Sequence, residues 1–415
     1  MSENSQPKVL MIITRDTKDV EAQFIRSVLE EKGVDVIHLD ASIRSSVEHP
    51  AEIPPEKIAE AAGDTIEGIR ALNHEGKCQA KMVEGSIKIA QGLAEQISGV
   101  IAVGGSMGTT LGTAVMQTLP YGMPKVMVST MASGFTKPFI GSKDIIMVNP
   151  VCDIAGLNSI TRDVFRHAAV SLAAMAKDYH PVKAEPKPLV AMTTLSTTDR
   201  ATVRIRQQLE KEGYEVMVFH TLGTGGMAMD DIVRERDVCA VVDLSLIEIG
   251  DFLHGGLAAA GPDRAKAGIR KGVPTVFAPG NIDFLVAGPL EVARQQFPGK
   301  RYHLHNAALT AVRTEIPEMT DVANYLADAV KDASGDVWFY VPLKGFSHHD
   351  SPDGYLHDLD MPPQFAEILR EALSEQAPPH VKTQIFDCHI NDPEFADAIV
   401  QTVLQATRPQ AGAGA

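Results

Sequence analysis

The chain has 415 residues, of which 44% are hydrophobic, 5% aromatic and 22% charged, and its formal net charge is −15. This length and composition predict a soluble globular protein of two or three domains. The net negative charge argues against partners such as nucleic acid or a membrane surface, because both need a basic face. The N-terminus lacks the apolar segment of a signal peptide, no apolar run approaches the ~20 residues of a membrane span, and the four cysteines lack CxxC spacing. We therefore expect a cytoplasmic protein with reduced thiols.

The chain contains an internal repeat. A strand beginning at Lys8 is followed by a helix and by the segment EKGVDVI at 31–37, and a strand beginning at Leu189 is followed in the same way by KEGYEVM at 211–217. The repeat predicts an α/β fold of two tandem Rossmann-like subdomains, each a three-layer α/β/α unit with a mainly parallel sheet.

The predicted boundaries follow from proline content and helical periodicity. We expect an N-terminal subdomain at 1–180, a linker at 181–188, a C-terminal subdomain at 189–407 and a disordered tail at 408–415. The first subdomain also has an extra segment, at 54–96, that is rich in Ala, Glu, Ile and Lys with helical periodicity. Two interpretations are open for this helical insertion. It is either a set of helices that cover the sheet or a lid or dimer face.

A glycine- and hydroxyl-rich turn follows the apolar strand at 100–103. Its candidate ligand residues are Gly104, Gly105, Ser106, Gly108, Thr109 and Thr110. The glycines allow a tight turn, and the exposed backbone N–H groups of a following helix favour a phosphate or carboxylate. The turn matches neither the lysine-containing phosphate loop nor the GxGxxG fingerprint. The alternative is that the glycines only allow close packing of helix on strand.

Two further turns have a similar composition. The strand at 125–128 is followed by Thr130, Ser133 and Gly134, and a turn in the second subdomain contains Gly223, Gly225 and Gly226. Because parallel strands end at the same edge of a sheet, we expect the first of these turns to face the same ligand as 104–110. The second turn is either another anion site or only a repeat of the first turn's sequence that binds no anion. Asp243 and Glu248, which follow the buried strand at 238–242, could bind a ligand or cap the next helix.

Histidine and aspartate recur in three late loops, at 303–306, 347–350 and 387–392, each after an apolar strand. These residue types suit proton transfer and divalent-metal binding. The candidate catalytic residues are His348, Asp350, Asp387 and His389. No metal-ligand motif of diagnostic spacing is present, so the metal ligands stay unassigned. The alternative is that these groups cap helices or satisfy loop backbone.

Four blocks of the chain together resemble one family. They are GGSMGTTLGTAVMQTLPYGMPKVMVSTMASG from 104, FHTLGTGGMAMD from 219, HGGLAAAGPDR from 254 and CHINDPEFADAIV from 388. The chain resembles a widespread family of uncharacterised bacterial and fungal proteins related to the N-terminal ATP-binding domain of the tomato protein that confers resistance to tomato mosaic virus. The resemblance implies two Rossmann-like subdomains, bound ATP with Mg²⁺, and a homodimer or dimer of dimers. It places the nucleotide near 104–110 and near 130–134.

Three classes of function are therefore open. The first is an ATP-binding protein of this family. The second is a metabolic enzyme, a hydrolase or carbon–carbon lyase, that acts on a small anionic substrate with the late His and Asp residues as acid and base. The third is a non-catalytic partner-binding module. The absence of a phosphate-loop lysine argues against fast ATP hydrolysis but not against ATP binding.

Overall fold

The computed structural model describes residues 6–44, 50–134, 136–181 and 187–407. Its contacts divide the chain into two compact units, unit 1 at 1–183 and unit 2 at 184–415. The predicted tail at 408–415 and most of the predicted linker at 181–188 lie outside the described residues. Within the described ranges, no helix is both long and apolar enough to cross a membrane.

Unit 1 is built on a five-stranded parallel sheet of order β2-β1-β3-β4-β5. Its strands are β1 (Lys8–Ile12), β2 (Asp35–Leu39), β3 (Val100–Gly104), β4 (Lys125–Ser129) and β5 (Ile146–Val148). Its helices are α1 (Arg15–Glu31), α2 (Pro55–Ala61), α3 (Ile66–Ala71), α4 (Glu75–Leu93), α5 (Ser106–Gln117), α6 (Lys137–Ile140) and α7 (Ser159–Asp178). β3 and β4 are buried along their whole length, which explains why they are almost continuous apolar runs in the sequence.

The helical insertion at 54–96 forms α2, α3 and α4 and covers one face of the unit 1 sheet. Ile66 and Ile69 are 2% and 0% exposed, and they lie in one apolar cluster with Met82 of α4 and Leu10 of β1. α1 and α7 cover the other face. The insertion is therefore a set of helices that cover the sheet, because its apolar side chains are buried against the core of unit 1.

Unit 2 has a six-stranded parallel sheet of order β14-β13-β9-β8-β6-β7 and a small antiparallel sheet of order β10-β12-β11. Its strands are β6 (Leu189–Thr194), β7 (Glu215–His220), β8 (Val238–Ser245), β9 (Thr275–Gly280), β10 (Phe284–Ala287), β11 (Tyr302–Leu304), β12 (Thr310–Arg313), β13 (Val337–Pro342) and β14 (Val381–Phe386). Its helices are α8 (Asp199–Lys211), α9 (Gly225–Glu235), α10 (Ile247–His254), α11 (Ala267–Lys271), α12 (Leu290–Gln296), α13 (Ile316–Val330), α14 (Met361–Gln376) and α15 (Pro393–Thr407).

Helices also cover both faces of the large sheet in unit 2. Ile205 of α8 and Ile399 of α15 belong to the apolar cluster on one face. Leu326 of α13 and Phe365 of α14 belong to the cluster on the other face. The predicted α/β fold with two parallel sheets between helical layers is confirmed. The antiparallel sheet was not predicted, because its strands have only three or four residues each and leave little pattern in the sequence.

The internal repeat reflects the same helix ending in both units. Gly33 and Gly213 follow α1 and α8 with φ of +67° and +91°, a conformation that favours glycine. The N–H of the residue after each glycine donates to the carbonyl of Leu29 or Leu209, at 3.1 Å in both cases. Both leucines are fully buried, so each repeat ends its first helix over the core and begins the next strand.

Candidate functional site

The crevice that best fits a ligand lies at the edge of the unit 1 sheet where the chain reverses its direction of winding. β2 lies on one side of β1 and β4 on the far side of β3, so the segments that follow β1 and β3 diverge. Open α/β sheets bind ligands at the carboxyl ends of such strands. A cavity of about 630 Å³ lies there, lined by Thr14 after β1 and by Met107 and Gly108 after β3. This volume is typical of small-molecule sites.

The glycine turn between β3 and α5 requires glycine at position 104, whereas position 105 has room for a side chain. A Cβ on Gly104 would lie 2.6 Å from the Cα of Gly108, so a side chain there would break the turn. Gly105 is the N-cap residue of α5, and a Cβ there would meet nothing closer than the Oγ1 of Thr130, at 3.8 Å.

The start of α5 has the features of an anion site. No side chain of the described residues caps it, and its first turn contains no acidic residue. The first N–H groups of a helix have no partner within the helix, and the helix dipole adds partial positive charge at this end. An anion bound at this position would therefore accept several backbone hydrogen bonds.

The threonine hydroxyl groups of the glycine turn form hydrogen bonds within the protein, and they differ in burial. Thr109 is fully buried, and its hydroxyl donates to the Gly105 carbonyl at 2.7 Å. The Thr110 hydroxyl donates to the carbonyl of Ser106 at 3.0 Å, and both of these residues are exposed. Of the residues singled out in 104–110, Gly108 is the one that lines the cavity.

The second predicted loop of unit 1 lies beside the glycine turn. Thr130 is the residue nearest to the open side of Gly105, whereas Ser133 and Gly134 are exposed. None of these three residues is part of the cavity lining. The structure therefore brings the two loops together at the start of α5, whose first turn also contributes Met107 and Gly108 to the cavity wall.

The cavity lining also contains two arginines that were not predicted as site residues. Arg70 of α3 is half-buried, and its Nε donates to the carbonyl of Ile43 at 2.7 Å. Arg44 is exposed and pairs with Glu75 at 2.9 Å. Both side chains line the cavity that Gly108 also lines. An arginine on a helix or in a loop gives no sequence signal of ligand binding, because arginine is also common on solvated surfaces.

In unit 2, a buried carboxylate already fills the second glycine turn. Glu248 accepts hydrogen bonds from the backbone N–H of Gly223 at 2.8 Å and of Gly226 at 3.1 Å. A Cβ on Gly225 would lie 1.8 Å from the carbonyl oxygen of His220, so this position needs glycine for packing. The turn binds an anion, as its composition suggests, but the anion is a side chain of the same unit.

The charge of Glu248 is balanced by Arg264, which is fully buried. The Arg264 Nε lies 2.7 Å from Glu248, and its two terminal nitrogens lie 2.5 and 2.8 Å from the carboxylate oxygens of Asp243. Burial alone would lower the pKa of the Arg264 guanidinium, but Asp243 and Glu248 outweigh it and hold that pKa well above the ordinary value. These two acids, which we considered as ligand-binding groups, form a closed internal ion cluster.

The four candidate catalytic residues differ in exposure and in their partners. His348 is exposed, and the Asp387 side chain is 84% exposed and pairs with Lys344. His389 uses both ring nitrogens, since its Nδ1 accepts the Asn391 N–H at 3.1 Å and its Nε2 lies 3.0 Å from the Ser347 carbonyl.

Asp350 is the buried member of these four residues, and its partners are structural. It accepts backbone N–H groups of Phe346 and Asp358, and its Oδ1 lies 3.1 Å from Arg313. Burial and the nearby Asp283 carboxylate raise the pKa of Asp350 to about 7, although Arg313 opposes the rise. In the same region, the structure packs His349 against His303, with ring centroids 4.6 Å apart.

The two units match two consecutive family models. Residues 7–181 match the N-terminal domain of the uncharacterised protein family UPF0261, and residues 187–407 match the C-terminal domain of the same family. The chain belongs to UPF0261. A UPF0261 protein of Clostridium tetani is 33% identical to it over 401 residues, which cover 96% of this chain and 98% of that protein.

The relatives of this UPF0261 chain include a plant protein. The tomato mosaic virus (ToMV) resistance protein Tm-1 of Solanum lycopersicum is 30% identical over 430 residues, covering 97% of this chain and 56% of that protein. Among solved structures, Acinetobacter baumannii MurG aligns over 96% of the chain, with 12% identity and a TM-score of 0.22.

Proposed function

We propose that unit 1 binds a nucleotide in the crevice between the ends of β1 and β3, with its phosphates at the start of α5. The observation that supports this most strongly is the coincidence of three features at one place. A cavity of about 630 Å³ lies at the point where the winding reverses, the glycine turn that opens α5 contributes Met107 and Gly108 to its wall, and the helix start has no capping side chain among the described residues.

The arginines supply the positive charge that the glycine turn lacks. The terminal nitrogens of Arg70 have no hydrogen-bond partner among the described residues, so a phosphate in the crevice could accept from them. Guanidinium groups bind phosphate through paired N–H donors. Arg44 would have to exchange its exposed pair with Glu75 for the ligand, which is a small change because exposed ion pairs contribute little.

ATP with Mg²⁺ is the ligand that the family resemblance implies, and the crevice residues fit both groups. Mg²⁺ prefers carboxylate and phosphate oxygens, and Asp16 and Glu75 are the two acidic residues in the lining. The Oδ2 of Asp16 already accepts the backbone N–H of Arg44 at 3.0 Å, which leaves the Oδ1 of Asp16 to face a cation. These residues would hold the metal, and the metal would neutralise phosphate charge.

The other two functions receive less support. An acid–base enzyme built from the late loops would need candidate residues that are free to react, whereas Asp350 and His389 are hydrogen-bonded within the fold and His348 and Asp387 are exposed. A non-catalytic partner-binding module and a homodimer or dimer of dimers stay predictions. The outer face of α4 carries exposed Lys88 and Glu84, paired at 2.8 Å, so an interface there would be polar.

The experiment is isothermal calorimetry of the full chain with ATP, with and without Mg²⁺. We expect saturable binding that weakens at least tenfold in Arg70→Met, which keeps an unbranched apolar stem and removes the charged guanidinium group. Lys88→Met, far along α4 from the cavity lining, is the matched control and should bind as the wild type does. Equal affinity of wild type and Arg70→Met would contradict the proposal.

A further inference from the structure

Unit 2 contains a second, smaller cavity that has no part in the nucleotide proposal. It encloses about 110 Å³ between the carboxyl ends of β6 and β7 and the small antiparallel sheet. Most of its wall is apolar. The apolar lining residues are Leu195, Leu222, Phe284, Val286, Leu309 and Ala311.

Two threonines in the wall have hydroxyl groups available to a ligand. Thr310 is 1% exposed, and its hydroxyl has no hydrogen-bond partner among the described residues. An unpartnered buried hydroxyl is costly, so it points to a group that the protein itself does not supply. The Thr197 oxygen accepts from the Asn281 amide at 2.5 Å, which leaves the proton of this hydroxyl free to donate.

Besides Ser196, His220 and His305, the wall also contains His349. Its ring packs edge-on against Phe284, with centroids 5.2 Å apart, and the described residues give its ring nitrogens no hydrogen bond. Burial, followed by repulsion from His303, His348 and His305, lowers the pKa of His349 to about 4. The ring is therefore neutral at pH 7 and offers one N–H donor and one acceptor.

We propose that this cavity binds a small uncharged molecule that carries a carbonyl oxygen on an apolar body and has no more than about six non-hydrogen atoms in all. A dry cavity of about 150 Å³ holds benzene, so 110 Å³ suits a ligand no larger than benzene. The lining contains no carboxylate, lysine or arginine to pair with a charged ligand. The Thr310 hydroxyl and the His349 N–H would donate to the carbonyl oxygen, with the Thr197 hydroxyl as a further donor in the wall, and the apolar residues would enclose the rest.

The same histidines do not form a metal site. Within the described residues, the one group of three His, Cys, Asp or Glu whose ligand atoms lie within 4.8 Å of one another is Cys388, Asp392 and Glu394. None of these lines the cavity. Among the described residues, the cavity wall therefore holds no such cluster of three metal-ligating groups, which favours an organic ligand over a cation.

The test uses cyclopentanone as the probe, with the full chain and ligand-observed saturation-transfer NMR. Cyclopentane, which has the same ring without the oxygen, and cyclopentanecarboxylate, which adds a charge, are the matched comparison probes. We expect saturable millimolar binding of cyclopentanone, at least fivefold weaker binding of the other two probes, and an unchanged result when ATP is present.

Two variants separate this site from nonspecific binding. Thr310→Val is isosteric and removes the unpartnered hydroxyl, and His349→Phe keeps a ring of similar shape. Each should weaken cyclopentanone binding about tenfold, the effect of one lost hydrogen bond to a buried ligand. Equal binding of cyclopentane and cyclopentanone, tighter binding of the carboxylate, or wild-type affinity in both variants would overturn the proposal.

Discussion

The hydroxyl oxygens of Thr109 and Ser129 lie 2.6 Å apart in the core of unit 1, where they join the first turn of α5 to the end of β4. The Ser129 oxygen also accepts the N–H of Met131 at 2.9 Å. One hydrogen-bonded pair thus connects the glycine turn to the loop that follows the next strand. The two loops of unit 1 that we predicted to bind a ligand hold each other in place.

This connection predicts that Thr109→Val destabilises unit 1 by about 1–3 kcal/mol, because the buried Ser129 hydroxyl and the Gly105 carbonyl each lose a partner. Chemical denaturation followed by circular dichroism measures the change. Thr110→Val is the matched control, since this exposed hydroxyl bonds within its own helix turn, and its effect should stay within about 0.5 kcal/mol. Equal stability of the two variants would show that the pair contributes nothing.

A second prediction concerns the carboxylate that fills the glycine turn of unit 2. Glu248→Ala leaves Arg264 and the N–H groups of Gly223 and Gly226 without their buried partner, and it should cost about 3–5 kcal/mol. Added formate should restore part of this loss, because a small carboxylate fits the vacated position. Thermal unfolding with and without formate measures both effects. Glu291→Ala, at an exposed glutamate, should show neither, and a stable Glu248→Ala would contradict the internal-anion assignment.

A third prediction follows from the raised pKa of Asp350. Its folded-state pKa is about 7, compared with an ordinary value of 3.8, so between pH 4 and 7 the folded state binds a proton that the unfolded state does not. Its contribution to stability is therefore present at low pH and is lost as pH rises through 7. The unfolding free energy of Asp350→Asn should fall less than that of the wild type between pH 5 and 8. Denaturation midpoints at the two pH values measure this, and identical pH dependences would rule it out.

Much of the fold could be predicted because its determinants are local. Gly33 and Gly213 each end a helix whose last buried leucine lies four residues earlier, so a short pattern specifies both the end of the helix and the start of the strand. The strands of both units are apolar because helices cover both faces of each sheet. The burial of Ile66 and Ile69 inside unit 1 was less certain, since an amphipathic helix looks the same whether it covers its own sheet or a partner.

The site was harder to predict because it depends on long-range contacts between side chains. Glu248 lies 25 residues beyond Gly223 in the chain, and no local pattern shows that its carboxylate reaches that turn. Arg70 reaches the crevice only because the helical insertion folds back over the sheet. The late loops do meet, since the His303 and His349 rings lie 4.6 Å apart and the His389 Nε2 lies 3.0 Å from the Ser347 carbonyl. The order of the strands, however, does not determine where the side chains of Asp387 and His389 point.

The most direct test of the nucleotide proposal is a comparison of ATP binding by Gly105→Asp and Gly105→Asn. Both residues are favoured N-caps, and the open space around Gly105 admits a side chain, so both variants should be at least as stable as the wild type. The Asp variant puts a negative charge where the phosphates would bind. Calorimetry should show ATP binding lost in Gly105→Asp and less affected in Gly105→Asn. Wild-type affinity in a folded Gly105→Asp would contradict phosphate binding at the start of α5.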